Sequence, residues 1–285
     1  MRGRERIHVL NAAVEMAPHF GGTIVSSLSV PRFRENFDQG QGALTEPGLA
    51  TKLKEALRKL AAHLGSAASA VENRPPPGPV LWNQRYGDAL VAYGSESNDF
   101  LRAVAGRIPK GPTLVIGAGE GRNAVYLAEQ GYEVTAMDQS DVGMEHAQAL
   151  ASKRGVSITT VVADLADYDL GHAKWAGIVA IWTHLPPELR RKVHRDSAIA
   201  LVPGGAFVLE AYAPAHLERP GKGGPPIAPM LMSPTSMREE LPGLDFELCQ
   251  EVERDVSEGR DHNGPSTTTQ VLAFNYAATL PRGAE

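Results

Sequence analysis

The chain has 285 residues, 42% of them hydrophobic, with 28 Lys and Arg against 33 Asp and Glu, so it can bury a substantial core and is not compositionally disordered. The net charge of -5 provides no broad basic surface for a polyanion, which argues against nucleic acid as a partner. Cys249 is the single cysteine, so an intramolecular disulfide and a thiolate metal cluster built within one chain are both excluded. A reducing, cytoplasmic setting follows. No run approaches the ~18 uncharged apolar residues of a membrane span, and the apolar stretch from Gly21 to Val30 comes too late and too polar for a secretory signal. The expectation is a soluble monomer or homodimer with no membrane partner.

Leu49, Leu53, Leu57, Leu60 and Leu64 fall at helical spacing and predict one surface helix over residues 48 to 64. Residues 1 to 75 carry a net charge of +3, against -8 for the remainder, and show no chemical signature. Pro75, Pro76, Pro77, Gly78 and Pro79 remove backbone donors and favour extended chain, marking the main boundary. The predicted organisation is an N-terminal extension over 1–79, with one amphipathic helix and the Pro-rich linker, and a domain over 80–280.

After the linker, strands and helices alternate as in an α/β domain. Thr113–Gly117, Glu133–Met137, Val156–Ala163, Gly177–Trp182 and Ala206–Ala211 read as buried strands. Helices are expected over Gly121–Gln130, Val142–Lys153 and Pro187–Leu201, with Pro203, Gly204 and Gly205 turning into the fifth strand. Two further β-like runs, Phe246–Val256 and Thr268–Ala278, predict a late antiparallel hairpin.

Three strand ends carry the chemistry. The run from Leu114 to Asn123 places Gly117, Gly119 and Gly121 between a buried strand and a helix, where bare backbone permits a tight turn and close approach of a ligand. Asp138, 21 residues beyond Gly117, ends the second strand; it can accept from both hydroxyls of a ribose or cap the helix that follows Ser140. Asp164 follows Val161, Val162 and Ala163; it can accept from an exocyclic adenine amine beside Leu165, or close its own turn.

With these elements in order, the sequence resembles the class I S-adenosylmethionine-dependent methyltransferases. Within them it looks like the small-molecule branch of TehB-like and thiopurine-methyltransferase-like proteins, from about Leu81 to Ala278. Trp82, Arg85 and Tyr86, followed by the run from Tyr93 to Leu101, look like that branch's cofactor-covering segment. Ser97 stands where a proline is common, and Gly117 where an acidic residue is usual.

The resemblance implies a Rossmann-like fold with a seven-stranded, mostly parallel sheet and an antiparallel last strand. It implies S-adenosyl-L-methionine held by the covering residues Trp82, Arg85 and Tyr86 and by the loop residues Gly117, Ala118, Gly119, Gly121 and Asn123. Asp138, Gln139 and Ser140 would lie on the ribose side, with Asp164, Leu165 and Trp182 completing the pocket.

Methyl transfer from a sulfonium is an in-line displacement that needs few catalytic groups, so the acceptor side is less legible. His184, after the fourth strand, either orients the acceptor and takes its proton or bonds a neighbouring loop. Trp182 either shields the sulfonium with its ring or packs in the core. Arg122 either meets an anionic group or forms a helix-surface ion pair. Glu210 and Tyr212 either select the substrate or cap a strand end.

His262 is placed on the acceptor side. No metal is expected, because Asp261 and His262 are adjacent and no H-x-x-x-H or cysteine pair supports them. The predicted activity is methyl transfer to a small nucleophile, a thiol or chalcogen oxyanion by resemblance. The alternatives are a non-catalytic S-adenosylmethionine-binding or interaction protein, and an NAD-dependent oxidoreductase, for which the third glycine of G-x-G-x-x-G is missing.

Overall fold

A computed structural model describes residues 37–38, 43–44, 48–49, 51–57, 59, 78–87, 93–221 and 223–276. The chain divides into two compact units, Met1–Pro75 and Pro76–Glu285. In the first, Phe37–Asp38 pairs antiparallel with Ala43–Leu44, and residues 51–57 are helical within the span that the leucine spacing predicts. Leu53 and Leu57 of that helix are exposed. Residues 60–64 and Pro75–Pro77 lie outside the described residues.

The second unit opens with helix α1, Gly78–Gly87, which corrects the expectation that Gly78 and Pro79 belong to an extended linker. Pro79 is tolerated because it occupies the first turn, where no backbone N–H is needed for the helical ladder. Next come α2 (Asp99–Val104), β1 (Pro112–Ile116), α3 (Arg122–Glu129), β2 (Glu133–Asp138), α4 (Asp141–Arg154) and β3 (Thr159–Val162). The chain continues through β4 (Trp175–Ile181), α5 (Pro187–Ala200), β5 (Leu201–Tyr212), α6 (Pro234–Glu240), β6 (Asp245–Ser257) and β7 (Asn263–Phe274).

The seven strands form one sheet in the order β3-β2-β1-β4-β5-β7-β6. The first five are parallel neighbours, and β7 runs antiparallel to both β5 and β6. This is the α/β Rossmann-like sheet with an antiparallel last strand that the resemblance implies. Pro203–Gly205 differ from the expected turn, lying within β5 where the register against β4 shifts between Trp175 and Gly177.

Alternation along each strand builds two apolar layers, one on each face. Leu114, Ile116, Ile178, Phe207 and Leu209 enter one, and Val115, Val179, Ile181 and Val208 the other. Among the described residues no helix is long and apolar enough to cross a membrane.

Glu210 interrupts this apolar pattern. It is fully buried on β5 and receives Arg254 Nε and Nη2 at 2.9 and 2.7 Å, Asn98 Nδ2 at 2.6 Å, Thr268 Oγ1 at 3.0 Å and Gln270 Nε2 at 2.9 Å. Glu258, in the β6–β7 turn, joins the same network. It accepts from Arg122 Nη2, from Arg254 Nη2 and Asn98 Nδ2, and from Trp182 Nε1 at 2.7 Å. Burial pushes the Glu258 carboxyl up, but Arg122, Trp182 and Arg254 more than offset this and hold it below the usual carboxylate range. Two carboxylates and two guanidinium groups thereby pin the hairpin to α3, to the segment before α2 and to the end of β4.

A second buried charge cluster fixes the segment after β5. Arg190 on α5 donates to both oxygens of Glu240 on α6 and to the carbonyls of Pro229 and Leu231, while His194 Nδ1 lies 2.8 Å from Glu240 Oε2. Burial pushes the His194 imidazole down, so it supplies a neutral N–H and Arg190 the counter-charge. Burial would raise the Glu240 carboxyl, but the His194 and Arg190 contacts outweigh it and bring its pKa from 4.5 to about 2.

A depressed carboxylate stabilises the fold above its ordinary pKa, and that contribution disappears as pH falls through the folded value. Glu240→Gln should therefore cost about 3–5 kcal/mol at neutral pH, because Arg190 would be left buried without its partner. Urea-unfolding curves should show the gap between wild type and variant closing as pH falls from 4.5 towards 2. A gap that stays constant down to pH 2 would remove the ion pair as its cause.

Candidate functional site

The carboxyl ends of β1, β2, β3 and β4 converge on one cavity of about 780 Å³, a position where open α/β sheets place ligands. β1 delivers the glycine loop. Gly119 adopts φ +53°, and a Cβ there would stand 2.9 Å from Tyr86 Oη, so the loop presents bare backbone beneath α1. Gly121 serves packing instead: at φ +84° a Cβ would meet Ala147 Cβ at 2.4 Å, so this glycine lets α3 and α4 approach.

Asp138 closes the other side of the loop. Its Oδ2 accepts from Gly119 N at 2.9 Å and its Oδ1 from Ser140 N at 3.0 Å, so it braces the glycine loop against the entry to α4. Gln139 N–H acts on the same carboxylate, so backbone donors take three of its roughly four lone-pair directions. Burial raises the Asp138 carboxyl, with the backbone donors acting against it.

Ser140 caps α4 by accepting from Gly143 N, and its hydroxyl donates to Asn83 of α1 at 2.6 Å. After β3, Asp164 Oδ1 accepts from Ala166 N at 2.8 Å, closing its own turn, and Asp164 and Leu165 both face the cavity.

α1 covers the opening. Arg85 lies over the Trp82 ring at 5.0 Å and donates to Tyr93 Oη at 2.9 Å, and Trp82 stacks on Tyr86. Tyr93 carries this aromatic wall to His262 at 4.8 Å, and Trp182 continues it at 4.9 Å from the same imidazole. Trp182 adopts φ +58°, a conformation costing about 1–3 kcal/mol in a residue with a side chain. Its N–H to Glu210 O at 2.8 Å, its indole N–H to Glu258 and its stack on Tyr212 at 4.5 Å hold it there.

The cavity brings together most of the residues that the sequence singles out: Trp82, Arg85 and Tyr86, then Gly117, Ala118, Gly119, Arg122 and Asn123, then Asp138, Gln139, Asp164 and Leu165, and finally Trp182, His184 and His262. Gly121 and Ser140 stand behind its wall.

Four acceptor-side readings need correction. Glu210 does not reach the cavity, because its carboxylate is consumed by the buried network. Tyr212 is likewise fully buried behind the wall. It lies under Gly223 and Gly224, where any Cβ would fall 2.0 to 2.7 Å from its ring or hydroxyl.

Arg122 borders the cavity, but its guanidinium is engaged by Glu258 and by Glu96 O at 3.0 Å, a buried pair and not a helix-surface one. His184 has both nitrogens committed to backbone: Nδ1–H donates to Trp182 O at 3.1 Å, and Nε2 accepts from Tyr212 N at 3.0 Å. Burial lowers its pKa to about 4, leaving a neutral ring that ties β4 to β5 and has no lone pair for a substrate proton.

Leu189 and Met230 of the apolar wall, and the buried structural part played by Glu258, are absent from the sequence-based reading. The available signal was Glu210 itself. A carboxylate inside an apolar strand requires buried cations, and the hairpin holds Arg254 within reach.

A methyltransferase-domain family model matches residues 114–205, which span the chain from β1 into β5. No curated protein matches the chain. Among solved structures, one described for the conversion of a disulfide bond into a thioacetal group during echinomycin biosynthesis superposes with a TM-score of 0.56 at 17% identity, covering 70% of this chain and 94% of that one.

TehB from Haemophilus influenzae gives 0.51 at 16% identity, over 69% of this chain and 66% of its own. A methyltransferase from Methanosarcina mazei gives 0.50 at 15%, over 63% and 98%. At these identities the likeness speaks to the fold. Sheet order and strand-end cavity give the chain the Rossmann-like fold of a class I methyltransferase, and residues 114–205 within it match a methyltransferase domain.

Proposed function

We propose that residues 80–280 form a methyltransferase domain that takes a methyl group from S-adenosylmethionine and places it on a small molecule in the cytoplasm, with residues 1–79 as an extension. The observation that carries this reading is the strand-end cavity that Gly119 and Asp138 both border, where bare backbone lies beside a buried carboxylate. S-adenosylmethionine supplies an electrophilic methyl group on a sulfonium.

The protein's part is to hold and orient. Gly117 and Gly119 make room for the amino-acid portion, Asp138 accepts from the ribose diol, and Asp164 and Leu165 meet adenine. Trp182, Tyr86 and Tyr93 offer ring faces to a cation.

A dinucleotide reading is less well supported, because β7 lies between β5 and β6 and departs from the 3-2-1-4-5-6 order of dinucleotide folds. The finer assignment is to the TehB-like and thiopurine-methyltransferase-like branch, with a thiol or chalcogen oxyanion as acceptor. It rests on the covering segment from Trp82 to Leu101 and on the fold shared with TehB and with the thioacetal-forming relative.

Calorimetry with S-adenosylmethionine and S-adenosylhomocysteine should detect binding of both, and no heat from either would overturn the proposal. Asp138→Ala should weaken both ligands by roughly tenfold to a hundredfold, the loss of one charge-assisted hydrogen bond or slightly more. Unchanged affinity would remove the ribose assignment. A labelled-methyl screen across thiols, selenite, tellurite, thiopurines and small carboxylates should then reveal transfer to at least one class; NAD binding in place of S-adenosylmethionine would reverse the reading.

A further inference from the structure

We infer that His262, and not His184, is the catalytic residue that meets the acceptor, and that it takes the proton of a neutral thiol or hydroxyl carried on an apolar body. The inference rests on the methyl-transfer reading of the same cavity.

His184 is excluded by its two backbone bonds. His262 differs in the one respect that matters. It is 6% exposed and borders the cavity, its Nδ1 lies 2.9 Å from Tyr212 Oη, and its Nε2 makes no hydrogen bond among the described residues.

Neighbouring rings fix the imidazole on three sides: Tyr212 stacks on it at 5.4 Å with 20° between planes, Tyr93 meets it edge-on, and Trp182 lies at 4.9 Å. In the tautomer that the inference requires, the Tyr212 oxygen accepts Nδ1–H. In that arrangement Nε2 keeps its lone pair.

The charged and titratable groups facing His262 are Arg122 from α3, Glu258 and Asp261 from the hairpin turn, and His184 after β4, together with the Tyr93 and Tyr212 phenols. Burial first, and then Arg122, bring the imidazole pKa down to about 3, so the ring is neutral at physiological pH.

In the transfer, the acceptor heteroatom uses its lone pair to bond the methyl carbon, and the pair from the broken carbon–sulfur bond remains on sulfur. The heteroatom's proton passes to Nε2, which releases it to solvent after product leaves. The sulfonium charge vanishes as the imidazolium charge appears, so the cavity's net charge is constant through the step. That balance allows a buried, weakly basic imidazole to accept a proton at this moment and not before.

The remaining wall describes the acceptor's body. Leu185, Pro186 and Leu189 after β4 and Pro225, Pro226 and Met230 after β5 line the cavity beyond the strand ends assigned to the cofactor. Such a lining buries hydrocarbon and offers an oxyanion little.

Diethyl pyrocarbonate acylates imidazole nitrogens that hold an accessible lone pair, and can be applied to the full chain with peptide mass mapping. His262 should be labelled and His184 spared, with labelling of His262 suppressed by S-adenosylhomocysteine, whose binding is followed by calorimetry on the same sample. An unlabelled His262, or labelling indifferent to bound S-adenosylhomocysteine, overturns the inference; absence of S-adenosylhomocysteine binding overturns the methyl-transfer reading instead.

Two thiol probes supply the kinetic test at mildly alkaline pH, where thiophenol is ionised and benzyl mercaptan is largely protonated. His262→Gln should lower kcat for benzyl mercaptan by about a hundredfold or more, and for thiophenol far less. Equal losses on both thiols would make His262 merely structural. A wild-type protein that binds S-adenosylhomocysteine but methylates neither thiol overturns the assignment of an apolar thiol or hydroxyl as acceptor.

Discussion

The geometry of the cavity depends on the pairing of two buried carboxylates, Glu210 and Glu258, with the guanidinium groups of Arg122 and Arg254. Taking four charges out of water is expensive, and the arrangement is tenable because almost every lone pair and N–H has a partner. Asn98 bridges both carboxylates, Thr268 and Gln270 complete Glu210, and the Trp182 indole completes Glu258. The return is positional. An edge hairpin, a parallel strand end, the glycine-loop helix and the segment ahead of α2 are far apart in sequence, and this network sets their spacing.

The strained backbone at Trp182 follows from the same network. A tryptophan at positive φ persists only where its surroundings over-determine it, and here its N–H, its indole and its ring face are all engaged at once. Tyr212 receives that ring and is in turn bordered by His184, His216 and His262. The histidines around it are held neutral by burial, so this side of the cavity is a block of rings.

The five parallel strands were legible because each is a short apolar run, the first three ended by Gly117, Asp138 and Asp164, and the hairpin because its two runs flank a polar turn. Asp138 and the glycine loop were legible because bare backbone and a strand-end acid are local signals. The acceptor side was less so. His184 and His262 each follow a strand or a turn and look alike in sequence; what separates them is whether backbone partners occupy their nitrogens, a tertiary fact. Glu210 and Tyr212 read as strand-end residues because the expected strand stopped at Ala211, whereas β5 continues to Tyr212 and both side chains are fully buried. Pro79 misled through a rule that holds for helix interiors and fails in the first turn.

The two glycines laid over Tyr212 divide the loop after β5 into a part that cannot vary and a part that can. Any side chain at Gly223 or Gly224 would displace the phenol, and with it the stack that supports Trp182. Pro225, Pro226 and Met230 border the cavity without carrying that constraint. Divergence in cavity shape, in nature or by directed evolution, is thereby channelled into a few adjacent positions, and the same scaffold can change what it accommodates without rebuilding its foundations.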